Sequence, residues 1–594
     1  MQVTADETPQ PLSRHDRPFF FGPFGRCRAL TLVLYLLTAL PFLVWAVLLS
    51  WYSVDVYRVD QWYTPFLAIQ AAFSGDLSLD ILFQQHNEAR KMVPTFISVV
   101  LALANGYWNT RLEIAFGFFL CIVLTVTMVL ALRSTPGLRP WQVAFVTFQF
   151  SLLLWSPLTW YFHTYSITFE RLIPELCILI GVWLYIRGLT TWTQVLVFSV
   201  LALISQFSFP GGLATWPLFL LLLVHFSLFS NRSGWLGVLS FTFICMGATV
   251  LYFWDYSRPP AHPEFIRVLD HSLTDILSFF LMVLGRSFAN DYLPGTIVGL
   301  LLGALYLFCV LSGARKMMRE RAFAAWTVVG LYSISQALLI TVGRLHLSTE
   351  SATRADYVIH SVYIYIASLV LLGLVAWRSG RRAGIPILLT GTFFTGILIG
   401  AVSESPIAAM RLQAHEFRQG RACIQLYPLL YQMQCPRWAY PWPAQMPARI
   451  KAANELGIIN PRLVIQIERV PDVPVHGSVG VSFRVPKGIH FDGWAVVNGE
   501  IADAVVITGD TDEGEERVLG VFRSGVQRGD VARAMGEKFR YAGWAGDIAE
   551  TELVYDSKQK NCGLRAYVFN IAASRFYPLD WKSNAVDSWC GRLP

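Results

Sequence analysis

The sequence predicts a polytopic α-helical membrane protein with about eleven transmembrane helices and a C-terminal exported β-sandwich. Hydrophobic residues make up 54% of the 594 and charged residues only 15%, with a mean hydropathy of +0.46, which excludes an ordinary soluble protein. After residue 404 the pattern changes, and long apolar runs give way to short β-prone stretches with Gly, Asp and Asn between them. The net charge of +7 is spread over short loops rather than gathered in one stripe or tail, so the basic residues read as topology signals and nucleic acid is not an expected partner.

Residues 1–28 form a polar tail. A bilayer-crossing helix needs roughly 17 to 25 apolar residues, and such runs lie near 29–50, 112–132, 140–161, 170–187, 192–209, 212–229, 235–254, 293–312, 322–342, 357–377 and 384–403. The first is long enough to be an anchor rather than a cleaved signal. With eleven crossings, Arg26, Arg28, Arg133, Arg139, Arg315, Lys316, Arg319, Arg321, Arg378, Arg381 and Arg382 all fall on one side, which the positive-inside rule makes cytoplasmic. The expected division is a cytoplasmic tail (1–28), a membrane domain (29–403) with a first exported loop (51–111), and an exported domain (404–594). In a bacterial inner membrane that last domain is periplasmic. Residues 264–290, containing SLTDILSFFLMVLG, are too short to cross and read as an interfacial helix.

The exported part contains GSVGVSFRV, WAVVNG, AVVITGD, RVLGVFRSG and LRAYVFNIA, an antiparallel sandwich pattern, with RIKAANELG as one helix. Cys423, Cys435, Cys562 and Cys590 lie there; four cysteines in an oxidising compartment suggest two disulfides. Three pairings are open, and spacing favours Cys423 with Cys435 and Cys562 with Cys590. Neither pair has zinc-site spacing. Trp494, Tyr541 and Trp544 read as core aromatics, with sugar stacking the alternative.

The first exported loop is much longer than most connections, and loops of that length are usually functional or disordered. Two amphipathic helices are expected in it. TPFLAIQAAFSG is opened by Thr64 as cap and Pro65 as first residue, and SLDILFQQHNEARKMVPTFISVVLALANG bends near Pro94. Together they would hold VDQWY and QQHNEARK at the membrane surface.

The order DVYRVDQWYTPFLAIQAAFSGDLSLD, FQQHNEARKMVP, NGYWNTRLEIAFGFFLCIVL resembles the GT-C superfamily of polyprenyl-phosphate-sugar glycosyltransferases, such as protein O-mannosyltransferases and lipid A aminoarabinose transferases. The parallel covers roughly residues 29–190. Its usual acidic pair is Asp-Glu, and this chain has Asp60-Gln61. The resemblance implies an inverting transfer of sugar from a polyprenyl-phosphate donor to a glycan, lipid or protein acceptor, with Asp60 as base. No cofactor is expected to be obligatory; a divalent metal is the one candidate.

That chemistry needs a base for the acceptor hydroxyl and cations for the departing phosphate. Arg90 and Lys91 are the first candidates for the phosphate. His86, Asn87 and Glu88 are placed to orient them or to bind the sugar, although Glu88 and Lys91 also suit a plain i, i+3 helical pair. GRLHLSTESATRADY adds Arg344 and Arg354 as phosphate contacts and His346 and Glu350 as substrate contacts, a loop salt-bridge network being the plainer reading. Asp55 competes with Asp60, and Glu170 and Arg171 stand at the outer start of the fourth span. Two other functions fit the composition: a transporter or flippase of lipid-linked sugars, and a cell-surface assembly protein with a carbohydrate-binding module.

Overall fold

The computed structural model describes residues 26–230, 234–259, 265–380, 384–402, 405–430, 435–439, 441, 444–470, 473–485, 488–510, 515–549 and 563–581. Most of the expected tail lies outside these residues, as do Arg381, Arg382, Cys562 and Cys590.

The chain opens with α1 (Arg26–Tyr52). The loop that follows carries α2 (Phe66–Ser74), α3 (Leu79–Phe83), a hairpin of β1 (Gln85–His86) and β2 (Ala89–Arg90), and α4 (Met92–Asn105). The bundle continues with α5 (Thr110–Ser134), α6 (Pro140–Leu154), α7 (Trp160–Thr164), α8 (Leu172–Arg187), α9 (Thr191–Gln206), α10 (Thr215–Phe229) and α11 (Trp235–Tyr252). After α12 (Leu273–Gly285) come α13 (Tyr292–Met317), α14 (Arg321–Arg344), α15 (Val358–Arg378) and α16 (Gly384–Ala401).

Every segment expected to cross is helical. Among the described residues eight helices are long and apolar enough to span a membrane: α1, α5, α10 with the turn before it, α11, α13, α14, α15 and α16. A ninth forms if α6 and α7 are one span bent by 43°. The chain is thus a multi-pass membrane protein by length and composition. Both α8 and α9 have 16 residues, about 24 Å of helix against a hydrocarbon core of about 30 Å.

α12 has 13 residues and is short, as the sequence predicts, but it docks along α13 within the bundle. A Cβ at Gly299 would come within 1.8 Å of the Leu281 carbonyl oxygen, and one at Gly285 within 1.9 Å of that of Gly295. Small residues four apart let two apolar helices approach to backbone contact.

The C-terminal part begins with α17 (Ser405–Gln425) and α18 (Met446–Glu455), followed by β3 (Val475–Val485), β4 (Gly488–Val497), β5 (Glu500–Ile501), β6 (Ala504–Asp510) and β7 (Glu516–Val526). It ends with α19 (Gly529–Met535), β8 (Gly543–Ala549), β9 (Arg565–Asn570) and β10 (Arg575–Pro578). The strands share one antiparallel path, β10-β9-β6-β7-β8-β4-β3, with β5 on β4. They form a half-barrel rather than the expected pair of facing sheets. The cause is local: β7 pairs with β6 up to Arg523 and with β8 from Ser524, through a bulge at Ser524/Val526 where Gly525 takes φ +113°. A bulge bends a strand without ending it.

Alternation in β6 and β9 divides the core. Val505, Ile507, Ala566 and Val568 face Phe491, Trp544 and Ile548 inside the half-barrel, so Trp544 is a core residue. Ala504, Val506, Tyr567 and Phe569 face outward into a second core, shared with Phe417 and Cys423 of α17 and with Tyr57, Trp62, Phe66, Ile69 and Trp108 of the loop between α1 and α5. The Cys423–Cys435 disulfide lies there, with its Cα atoms 5.9 Å apart. Because loop and C-terminal domain share a core, they stand on one side, and an even number of crossings must separate them. Eight crossings in all would leave seven after α1 and fail; nine and eleven both satisfy the condition.

Candidate functional site around Asp60

Asp60 sits in a 3-10 turn, Val59–Trp62. Its backbone oxygen accepts from the N–H groups of Tyr63 and Thr64, both at 2.9 Å. The preceding Val59 has φ +33°, a strained value for a β-branched residue, and its N–H donates to the Trp438 carbonyl at 2.9 Å. Gln61, the neighbour of Asp60, has a structural part. Its side chain turns inward, accepting from the Arg58 N–H at 3.1 Å and donating to Ser166 Oγ at 2.6 Å. It brackets the turn in the manner of a capping box and does not face the site.

Asp55 is structural as well: one carboxylate oxygen accepts from both the N–H and the hydroxyl of Thr110, and the other lies 3.6 Å from Arg421. Thr64 does not cap α2, whose N-cap is Pro65 with no side-chain hydrogen bond.

Residues 84–91 are not helical. Asn87, at φ +49°, turns the β1–β2 hairpin, so the expected Glu88–Lys91 helical pair is replaced by two separate partnerships. Glu88 accepts from Arg344 Nη2 at 2.7 Å, and Lys91 Nζ donates to Glu170 Oε1 at 2.9 Å. His86 Nε2 lies 3.8 Å from Asp60 Oδ2, an ion-pair distance rather than a hydrogen bond, and 3.3 Å from Asn87 Nδ2. Burial pushes the Asp60 carboxyl up, but His86, Lys91 and Arg344 together outweigh it and hold the group below its usual 3.8. The Asp60 side chain remains 40% exposed.

Arg90 corrects the sequence reading. Its guanidinium donates to the backbone carbonyls of Phe83, Tyr252 and Trp254 and lies over the Phe83 ring at 4.5 Å, which makes it a clamp between hairpin and α11 rather than a phosphate ligand. Arg354 is bidentate to Asp356, which also accepts from Arg171 at 2.9 Å, so the plainer salt-bridge reading describes this trio. His346 is half-buried in the turn after α14, and Glu350 is exposed in the turn Thr349–Thr353.

The structure therefore gathers Asp60, His86, Asn87, Glu88, Lys91 and Arg344 around one point, with Glu170 as the member whose role the sequence hides. A depression of about 310 Å³ opens beside them, lined by Tyr63, His86, Asn87, Arg258 and Gln445 among others. A larger one of about 850 Å³ shares Tyr63, Gln85 and Ser257 with it. Arg258 and Gln445 stand too far along the chain for spacing to point to them. Among the described residues no group of three or more His, Cys, Asp or Glu is placed to hold a metal ion.

Chemically, the cluster offers an ionised, accessible carboxylate with cations beside it, an arrangement able to accept a proton and to steady a departing anion. No family model, curated protein or solved structure matches the chain.

Proposed function

We propose that the chain is a membrane glycosyltransferase that moves a sugar from a polyprenyl-phosphate donor to an acceptor, with eleven crossings, a cytoplasmic N-terminus and its site on the periplasmic face of a bacterial inner membrane. The observation that carries the reading is the Asp60 carboxylate, held ionised and 40% exposed beside His86, Lys91 and Arg344. Asp60 takes the proton of the acceptor hydroxyl as that oxygen bonds the anomeric carbon. The bond from that carbon to the phosphate oxygen breaks on the opposite face, giving inversion, and the polyprenyl phosphate leaves with the electron pair. Arg344, 34% exposed and paired with Glu88 at 29%, is the cation best placed to exchange its carboxylate for that phosphate. Lys91, 11% exposed on Glu170, supplies a fixed charge behind it.

The test is transfer from synthetic polyprenyl-phosphate sugars by the full chain in liposomes. Asp60→Asn is expected to lower kcat by about a hundred- to ten-thousandfold with unfolding behaviour unchanged; undiminished turnover would refute the role.

A transporter of lipid-linked sugar is the second reading, and one feature favours it. Glu175 of α8 is fully buried and bonded to His360 and to the Tyr363 hydroxyl of α15, each at 2.8 Å, and ionisable groups inside a bundle commonly mark a pathway. Glu175→Gln separates the two, since it would abolish lipid translocation under the second reading and leave transfer intact under the first.

A further inference from the structure

At the junction of α17, the chain following Cys435, and strands β7 and β8, a cleft of about 420 Å³ opens on the C-terminal domain, a size within the ~300–1,000 Å³ of small-ligand sites. The Trp438 indole forms its wall. It lies so close to α17 that a Cβ at Gly420 would come within 2.2 Å of it, with the Phe417 ring 5.3 Å away. Beneath the cleft the Phe522 ring, stacked on Trp544 in the half-barrel core, covers Gly546, where a Cβ would come within 2.0 Å of it.

The rim is polar. Glu416 and Arg523 pair across it at 2.5 Å, and Asp547 pairs with His490 at 2.6 Å. An indole wall and a ring of carboxylate and guanidinium groups match a sugar, whose C–H face stacks on an aromatic while its hydroxyls bridge planar polar groups. β7 and β8 diverge at the cleft, where Val521–Arg523 pair with β6 and Ala545–Asp547 with β4; an added peptide strand is disfavoured because Gln419 already donates to the Val521 carbonyl at 2.6 Å on the edge it would need. An anion is disfavoured by two carboxylates at the rim against one guanidinium.

The cleft adjoins the site. The Trp438 carbonyl accepts from Val59, next to Asp60, and the Arg58 guanidinium lies over the Trp438 ring at 5.5 Å. We propose that this cleft binds a neutral glycan and presents it as acceptor to Asp60; the presenting role rests on the transferase reading, whereas glycan binding does not.

The experiment is saturation-transfer NMR on the full chain in nanodiscs, with short neutral oligosaccharides of glucose, mannose, galactose and arabinose as probes. Wild type, Asp60→Asn and Trp438→Phe are expected to bind one class of probe, and Trp438→Ala to lose about tenfold or more in affinity. Asp547→Ala, at a rim position 62% exposed, should weaken binding without any effect on folding. Equal binding by wild type, Trp438→Ala and Asp547→Ala, or binding of none of the probes, overturns the proposal. Binding at the cleft by a chain that transfers no sugar would sink the transferase reading and leave the glycan site standing. Transfer with an acceptor KM unmoved by Asp547→Ala would do the reverse.

Discussion

Arg90 and Arg344 differ in the company they keep. Arg90 serves three carbonyls, so Arg90→Ala should destabilise the fold by about 3 kcal/mol through unmet buried acceptors, seen in detergent unfolding, while the donor KM of the folded fraction stays put. Arg344→Ala should leave stability nearly unchanged and raise the donor KM by about 10- to 100-fold, the worth of a charged hydrogen bond. The same variant removes a cation that lowers the Asp60 pKa. A carboxylate base works only when ionised, so the acid limb of the kcat/KM profile lies below pH 3.8 in wild type and moves upward in Arg344→Ala. Residue types and neighbourhood were legible in the sequence here, because charges beside apolar runs demand partners. Which cation meets which acid was not, since Glu170 and Arg344 reach the hairpin from far along the chain.

Helices α8 and α15 meet in two rungs. Arg171 and Asp356, in the 3-10 turns immediately before the two helices, make the outer one, and Glu175 and His360 within the helices make the inner one. Asp356→Ala leaves the largely buried Arg171 guanidinium without its carboxylate, while Arg354 is half exposed and can turn to water. The substitution should cost about 3 kcal/mol in unfolding experiments.

Helix α17 carries a different titrating contact. Burial, with Arg418, Arg411 and Arg523 nearby, pushes the His415 imidazole down to about 4, and a Cβ at Gly525 in β7 would come within 2.8 Å of its ring. Above about pH 6.5 the imidazole is neutral whether the chain is folded or not. As pH falls from there towards 4 only the unfolded form gains the proton, and stability drops by up to about 3 kcal/mol. His415→Gln should flatten that acid slope in thermal unfolding followed against pH. The helices themselves were legible from apolar runs and the strands from β-prone stretches. The hairpin at Asn87 was not, because FQQHNEARK carries no Gly or Pro to break a helical reading.

For the whole molecule, the common core of loop and C-terminal domain is the organising fact. It requires a reporter fused after α16 to lie in the same compartment as one placed near Asp76 in the first loop. Accessibility labelling of single cysteines at the two places checks this, and opposite labelling would refute the shared core. Composition alone made the membrane class legible, and the Cys423–Cys435 link followed from spacing. The half-barrel escaped because its corner is one glycine bulge, and the union of two distant segments escaped because periodicity describes each helix without naming its neighbour.

That union also has a consequence for biogenesis. The ribosome completes Trp108 roughly 300 residues before Phe417, and at cellular elongation rates the gap is on the order of tens of seconds. Throughout it Tyr57, Trp62, Phe66 and Trp108, all fully enclosed in the finished protein, have no cover of their own. The nascent chain therefore needs a holding partner or the lipid surface to shield them, and truncations ending before α17 should be cleared by quality-control proteases rather than accumulate.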